Sequence, residues 1–346
     1  MTTEELAKII GVSRVTLSKV INGVGGVSPK TEEKIRSYIE KYNFEPNSRA
    51  RSLVGKEEQI IGLFSAYSQQ YSGVGKDISS HFATELVNLV ANSAQKRGYK
   101  TLIYLTDVEK DVKSIERIFN SKLVRGAILL GYNTGNEDIE KLGEHGYPIV
   151  LINQERDSHY KNVVAVNMDD QVSAYFAIEK LVEYGHKNLL YIGCNRQRLP
   201  AIRRHEGVRS ACEKYKDKIA SITEIDCDFN ESKAYEETKK IYSDKKALKP
   251  TGIFAANDVM AIGAMNALKD LGYSIPDDVS VIGFDDIPVS KYLTPGLNTM
   301  NCGFENIAST SVNSLIDLIE GSPIENHIEL PTRYIERGSV GKPPVS

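Results

Sequence analysis

The stretch Glu4-Glu5-Leu6-Ala7-Lys8-Ile9-Ile10-Gly11-Val12-Ser13-Arg14-Val15-Thr16-Leu17-Ser18-Lys19-Val20-Ile21-Asn22 has the spacing of a helix, a tight turn and a second helix. Thr2 and Glu5 stand as a capping box for the first helix. Gly11 stands where that helix must stop and the chain reverse, a place that favours positive φ. Ser13 is placed to cap the second helix. There Leu17, Val20 and Ile21 share one face, and Arg14, Val15, Ser18, Lys19 and Asn22 share the other. Long cations, small hydroxyls and an amide suit base edges and phosphates in a major groove. The pattern alone also fits a surface helical hairpin with solvated charges.

The next residues favour the first reading. Ser28-Pro29-Lys30-Thr31 is a strong helix start with Pro at the first helical position. In the helix it opens, Ile35, Tyr38, Ile39 and Tyr42 recur at the spacing of one apolar face, as a three-helix mini-core needs. A short basic segment follows, from Asn43-Phe44-Glu45-Pro46-Asn47 through Arg49-Ala50-Arg51-Ser52-Leu53 to Lys56.

Several blocks in register, Gly11-Val12-Ser13, Thr16 through Asn22, Val27 through Thr31, and Pro46-Asn47 through Leu53, resemble the head and hinge of the LacI/GalR family of transcription regulators. The resemblance implies DNA contacts from Ser13, Arg14, Val15, Thr16, Ser18, Lys19, Asn22 and Ser28 in the head. From the hinge it implies Asn47, Ala50, Arg51 and Leu53. Arg14, Val15 and Lys19 match the positions that read base edges. Residues 47–54 are too few for a stable isolated helix and are expected to fold on operator, with Leu53 wedged into the minor groove. The implied partner is a near-palindromic operator bound by a homodimer.

Charge is split along the chain. Residues 1–56 hold ten Lys/Arg against six Asp/Glu; the rest holds thirty-three against forty, and the total is −3. A basic head on an acidic body suits a polyanion at the head only. The four cysteines, Cys194, Cys212, Cys227 and Cys302, show no metal-ligand spacing, which fits thiols in a reducing cytoplasm. No apolar leader or long apolar run occurs, so the expectation is a cytoplasmic protein, neither exported nor membrane-spanning.

From Glu57 onward short apolar runs alternate with helical stretches, about five strand–helix units on each side of residue 166. That alternation predicts an α/β body of two doubly wound parallel-sheet lobes. The blocks Gly185-His186, Arg204-His205-Glu206-Gly207, Ala256 through Ala261 and Val281 through Asp286 are similar to the same family's ligand-binding core. That core resembles periplasmic sugar-binding proteins, two lobes around a cleft joined by three crossovers. The resemblance spans residues 4–338.

The expected division is a helix-turn-helix domain over 1–46, a hinge over 47–56 and a ligand-binding and dimerisation core over 57–340. Lobe 1 is expected over 57–166 plus 295–326, lobe 2 over 167–294 plus 327–340, and the Gly/Pro-rich 341–346 as a disordered tail.

Ligands of open parallel sheets bind at the carboxyl ends of strands. Asn153, Asn257 and Asp285 stand at such ends, and Arg204 lies near the start of a helix. Short polar groups and one forked donor suit vicinal hydroxyls. By resemblance Asn257, Asp285 and Arg204 are ligand contacts, and Ser80, His81 and Phe82 occupy the loop at the mouth of the first lobe. Phe82 fits either a sugar face or the core, as does Tyr67. Asp258 reads as the cap of the helix it opens, and Asp286 as a residue holding its loop. Cys302-Gly303 departs from the polar residue that sugar-responsive members carry there.

The six histidines are scattered and no hydrolase or zinc-protease motif occurs, so neither catalysis nor a metal or cofactor is expected. The function expected is a repressor of carbohydrate-utilisation genes released by a sugar-like inducer. The alternative is a solute-binding module without DNA affinity.

Overall fold

The computed structural model describes residues 3–21, 25–42, 58–67, 81–107, 112–132, 137–156, 159–194, 197–244, 246 and 248–344. The chain divides into two compact units, Met1–Gln59 and Ile60–Ser346.

In the first unit, helices α1 (Thr3–Ile10) and α2 (Arg14–Ile21) have eight residues each and α3 (Pro29–Lys41) has thirteen. Helices this short gain little from propensity, so packing holds them. Leu6, Ala7, Ile10, Leu17, Val20 and Ile35 form the buried centre. Each large apolar side chain so buried contributes roughly 1.5–3 kcal/mol. Gly11 takes φ +77°, and Ser13 Oγ accepts from Thr16 N–H at 3.0 Å, so turn and cap form as their residue types dictate. Lys34 Nζ donates to the Ile10 carbonyl at 2.9 Å, tying α3 to the end of α1. Tyr42 lies outside the mini-core expected of it: it is exposed and stacks on Tyr38 just beyond the last helical turn. Thr2 of the expected capping box lies outside the described residues.

Among the described residues the second unit holds two six-stranded sheets. The first uses β1 (Ile60–Tyr67), β2 (Lys100–Asp107), β3 (Ala127–Leu130), β4 (Ile149–Ile152), β5 (Val163–Met168) and β11 (His327–Leu330), in the order β11-β5-β4-β3-β1-β2. All its pairings are parallel. The second uses β6 (Asn188–Gly193), β7 (Ser221–Asp226), β8 (Gly252–Ala255), β9 (Ser280–Asp285), β10 (Asn298–Asn301) and β12 (Arg333–Ile335), in the order β12-β10-β9-β8-β6-β7. Only β10–β12 is antiparallel.

Continuous apolar runs arise because both faces of each sheet are covered. In β3, Ile128 and Leu130 join the cluster under α4 (His81–Lys96) and α11 (Phe304–Glu320), while Ala127 and Leu129 join that of α5 (Val112–Asn120) and α6 (Glu137–Glu144). Helices α7 (Asp170–Tyr184), α8 (Leu199–Lys214), α9 (Glu231–Ser243) and α10 (Asp258–Asp270) accompany the second sheet.

Three sequence expectations are corrected. Strand β10 pairs with β9, so residues 298–301 belong to the second sheet and not to the first lobe. Strand β11 pairs with β5, so 327–330 belong to the first sheet and not to the second lobe. An apolar run does not announce which sheet it joins; that is settled by pairing at the crossovers. Gly341 is not a loose tail: its N–H donates to Ser280 Oγ at 2.9 Å, and its carbonyl accepts from that hydroxyl at 3.1 Å and lies 3.0 Å from His186 Nε2. The two sheets are joined after β5, between β10 and α11, and between β11 and β12.

Candidate functional site

In the second lobe the polar residues singled out by sequence converge on Arg204. Its helix, α8, follows β6, so the guanidinium lies at the carboxyl edge of the sheet. Arg204 is 2% exposed. Its Nε donates to Asp170 Oδ1 at 2.7 Å, its Nη1 donates to the Ala256 carbonyl, and its Nη2 lies 3.6 Å from Asp285 Oδ1. The guanidinium carbon stands 3.6 Å from the centroid of the Phe284 ring. One planar fork thus joins the start of α7, the end of β8 and the end of β9, as no ammonium could.

Burial raises the pKa of both carboxylates, against the opposing pull of Arg204. For Arg204, burial works against the charge, but Asp170 and Asp285 more than offset it and raise its pKa, so it stays a cation. Asp170 escaped the sequence reading. The neighbouring Asp169 takes the cap, its Oδ1 accepting from Val172 N–H at 3.3 Å, and that leaves Asp170 to turn inward. The signal available was the Asp-Asp pair at a helix start, where one cap is enough.

Asn257, not Asp258, caps α10: its Oδ1 accepts from Met260 N–H at 2.9 Å. Asp258 is fully buried, and its carboxylate accepts from Ile287 N–H at 2.9 Å, Ser290 Oγ at 2.7 Å and Thr299 Oγ1 at 2.5 Å. Asp285 and Asp286 both have positive φ, 111° and 60°. The Asp286 carboxylate accepts from Asn301 Nδ2 and from Arg337 Nη2, each at 2.6 Å, so it holds its loop. Cys302 is buried, and its Sγ donates to the Asp285 carbonyl at 3.3 Å.

In the first lobe Asn153 ends β4 at φ 57°. Among the described residues its buried Oδ1 has no hydrogen-bond partner, and the same holds for Nε2 of the adjacent Gln154. The segment is pinned by Asn167, whose Oδ1 accepts from Gln154 N–H at 3.0 Å and whose Nδ2 donates to the Gln154 carbonyl at 3.1 Å. An unmet buried polar group is costly, so such atoms mark a place for an added donor or acceptor. Gln154 was also missed; a glutamine after a strand carries no signal of its own. Phe82 packs on Phe304, ring centroids 5.2 Å apart, at the starts of α4 and α11 and against the first sheet's core. His81 is half-buried at the start of α4. Ser80 and the side chain of Tyr67 lie outside the description. The structure thus joins Arg204, Asp285 and, through Ala256, the residue before Asn257.

In the head, Arg14, Val15 and Lys19 are exposed on α2, and Val15 is 65% exposed. Thr16 and Ser18 are half-buried. The Ser13 and Ser28 hydroxyls lie 2.8 Å from those of Thr16 and Thr31 in their local caps. Asn22, Asn47, Ala50, Arg51 and Leu53 lie outside the described residues. Among the described residues no helix is long and apolar enough to cross a membrane.

Residues 2–47 match the model of bacterial regulatory proteins of the lacI family, and residues 178–340 match that of a periplasmic binding protein-like domain. The ribose operon repressor of Halalkalibacterium halodurans is 31% identical over 97% of this chain and 96% of its own. The transcriptional regulator MalR of Clostridium butyricum is 29% identical over 98% and 99%. Among solved structures, a lac repressor dimer bound to operator and the anti-inducer ONPF superposes with TM-score 0.83 at 23% identity, covering 99% of both chains. Full-length similarity to such regulators, on this head and this body, makes the chain a DNA-binding transcription regulator of the LacI family.

Proposed function

We propose that this regulator is a cytoplasmic repressor of carbohydrate-utilisation genes, released by a neutral polyhydroxyl inducer. The carrying observation is the Arg204 cluster, one guanidinium against the carboxylates of Asp170 and Asp285. Arg204 faces two acids and Arg203 stands 3.9 Å from Glu155, so the cluster carries no surplus positive charge for a phosphate or carboxylate ligand. Forked donors beside carboxylate oxygens suit hydroxyls, which both give and take hydrogen bonds. Asn257 Nδ2 and Asp285 would serve from the second lobe, and Asn153, Gln154 and Phe82 from the first. His81 and Ser80 belong to the same proposed mouth. A ligand touching both lobes favours one lobe angle over another. The chain acts by binding, with no catalytic step.

At the DNA end, Arg14, Val15 and Lys19 are proposed to read base edges, with Ser13, Thr16, Ser18, Asn22 and Ser28 supporting them. Residues 47–56 act as the hinge, through Asn47, Ala50, Arg51 and Leu53. The protein is proposed to bind a near-palindrome as a homodimer, through a core running from residue 57. The ribose operon repressor among the relatives, and a family structure from Enterococcus faecium with bound ribose, fit a sugar effector.

The test is a thermal-shift panel of neutral sugars, D-ribose, cellobiose and maltose included, against sugar phosphates and uronates. At a hundred times Kd a ligand adds about 2.7 kcal/mol of stability, enough to raise Tm by several degrees. Shifts are expected from a neutral sugar and not from its phosphate. A shift only from anionic ligands would overturn the effector class. Operator binding of the full chain, lost on removing residues 1–56, tests the head.

A further inference from the structure

We infer that Asp258 is a positioning residue that fixes Asn257 and Asp285 at their mutual spacing, by tying the start of α10 to the segment after β9 and to β10. The inference deepens the proposed effector reading and rests on it for the roles of Asn257 and Asp285.

Asp258 follows Asn257 directly, and the Ile287 amide it binds is two residues beyond Asp285. Neither link leaves slack. The Ser290 hydroxyl on the same oxygen fixes the short 3-10 turn that begins at Pro288. Thr299 Oγ1 on the other oxygen belongs to β10, the strand beside β9. One carboxylate therefore gathers three segments at the carboxyl edge of the second sheet. Space is made for it: a Cβ on Gly283 would stand 2.2 Å from Asp258 Oδ1.

The backbone gives an independent reason for such a tie. Asp285 and Asp286 are consecutive residues with positive φ, a conformation that non-glycine residues keep only where their surroundings impose it. The imposing contacts are Arg337 and Asn301 on Asp286 and the Asp258 carboxylate on Ile287. Arg204 and Cys302 also hold Asp285, but among these ties only the Asp258 carboxylate reaches the segment from the start of α10.

The charged groups facing this carboxylate are Asp285 of β9 and Asp286 after it; Arg204 of α8 and Asp170 of α7 act on Asp285 beyond. Its own hydrogen-bond donors are two hydroxyls and an amide, not a cation. Burial, against those three bonds, pushes its pKa up to about 7. The closed segment therefore holds the proton more tightly than an opened one, and its protection should fall as pH rises toward 7.

The test is hydrogen exchange of the full chain, read by peptide mass spectrometry over 285–292, 298–301 and, as a control, 188–193. Asp258→Ala is expected to speed exchange at least tenfold over 285–292 and to leave 188–193 unchanged. Should that variant unfold and all three peptides exchange faster, Asp258→Asn decides. The wild type should lose protection severalfold per pH unit over 285–292 between pH 5 and 7, after correction for intrinsic rates, and Asp258→Asn should be flat. Wild-type exchange over 285–292 in both variants, or a wild-type pH profile in Asp258→Asn, overturns the inference. This readout needs no ligand, so it succeeds or fails independently of the sugar panel.

Discussion

The two halves of the proposed effector site are built in opposite ways. In the second lobe Arg204 is fastened at three points, Asp258 accepts three hydrogen bonds and Asp286 holds two donors. In the first lobe, Asn153 Oδ1 and Gln154 Nε2 are buried without partners among the described residues. The difference teaches which half is already organised. A network made before the ligand arrives adds rigidity; an unmet acceptor adds affinity only once a donor reaches it.

Removing the centre of the organised half should have the largest effect. Arg204→Met leaves Asp170 and Asp285 buried without their cation, and breaking such a pair costs about 3–5 kcal/mol. Urea unfolding at pH 7.5 reads it. A loss below about 1 kcal/mol would mean that solvent, not Arg204, already satisfies the carboxylates.

The first lobe should answer differently. Asn153→Gly removes an unmet acceptor at a positive φ that glycine accepts freely. Unliganded stability should change by no more than about 0.5 kcal/mol, while sugar affinity falls about tenfold. Calorimetry on the neutral sugar selected by thermal shift checks both. Equal losses of stability and affinity would erase the contrast between the halves.

Acidity sharpens it further. Asp258, with its pKa raised to about 7 in the fold and near 3.8 when unfolded, binds an extra proton in the folded state between those values. Its contribution is present below pH 4 and is lost as pH rises to about 7. Stability of Asp258→Asn should therefore fall less across pH 4–7 than that of the wild type, measured as the difference between two urea series. Parallel curves would remove Asp258 from the account.

The smallest effect belongs to Arg203 and Glu155, 3.9 Å apart at the surface, Arg203 half-buried and Glu155 exposed. Exposed pairs contribute roughly 0.2–1 kcal/mol. Arg203→Ala should cost no more than that, and the cost should vanish in 1 M salt, where screening acts within about 3 Å. A larger, salt-resistant cost would show a third organised contact at this edge of the site.

The head and the alternating body were legible because local rules decide them: Ser13 caps, Gly11 turns, and apolar runs cover both faces of a sheet. Arg204 and Asp285 were singled out by their place at strand and helix ends together with the family resemblance. Asp170 and Asp258 were not, because an acid at a helix start reads as a cap whichever neighbour actually caps. Asp169 and Asn257 took that bond, and the freed carboxylates turned inward. Strands β10 and β11 were assigned to the wrong sheets for a related reason: four apolar or polar residues specify a strand, but only tertiary pairing specifies its neighbour.

The late strands have a bearing on synthesis. The first sheet, whose β1 leaves the ribosome early, receives its edge strand β11 only at His327–Leu330, and the second sheet receives β12 at Arg333–Ile335. A chain arrested before His327 exposes the rims of β5 and β10 together, two open templates for strand addition. Incomplete translation products should therefore be marked by self-association, with both lobes sticky until the same last stretch of chain is made.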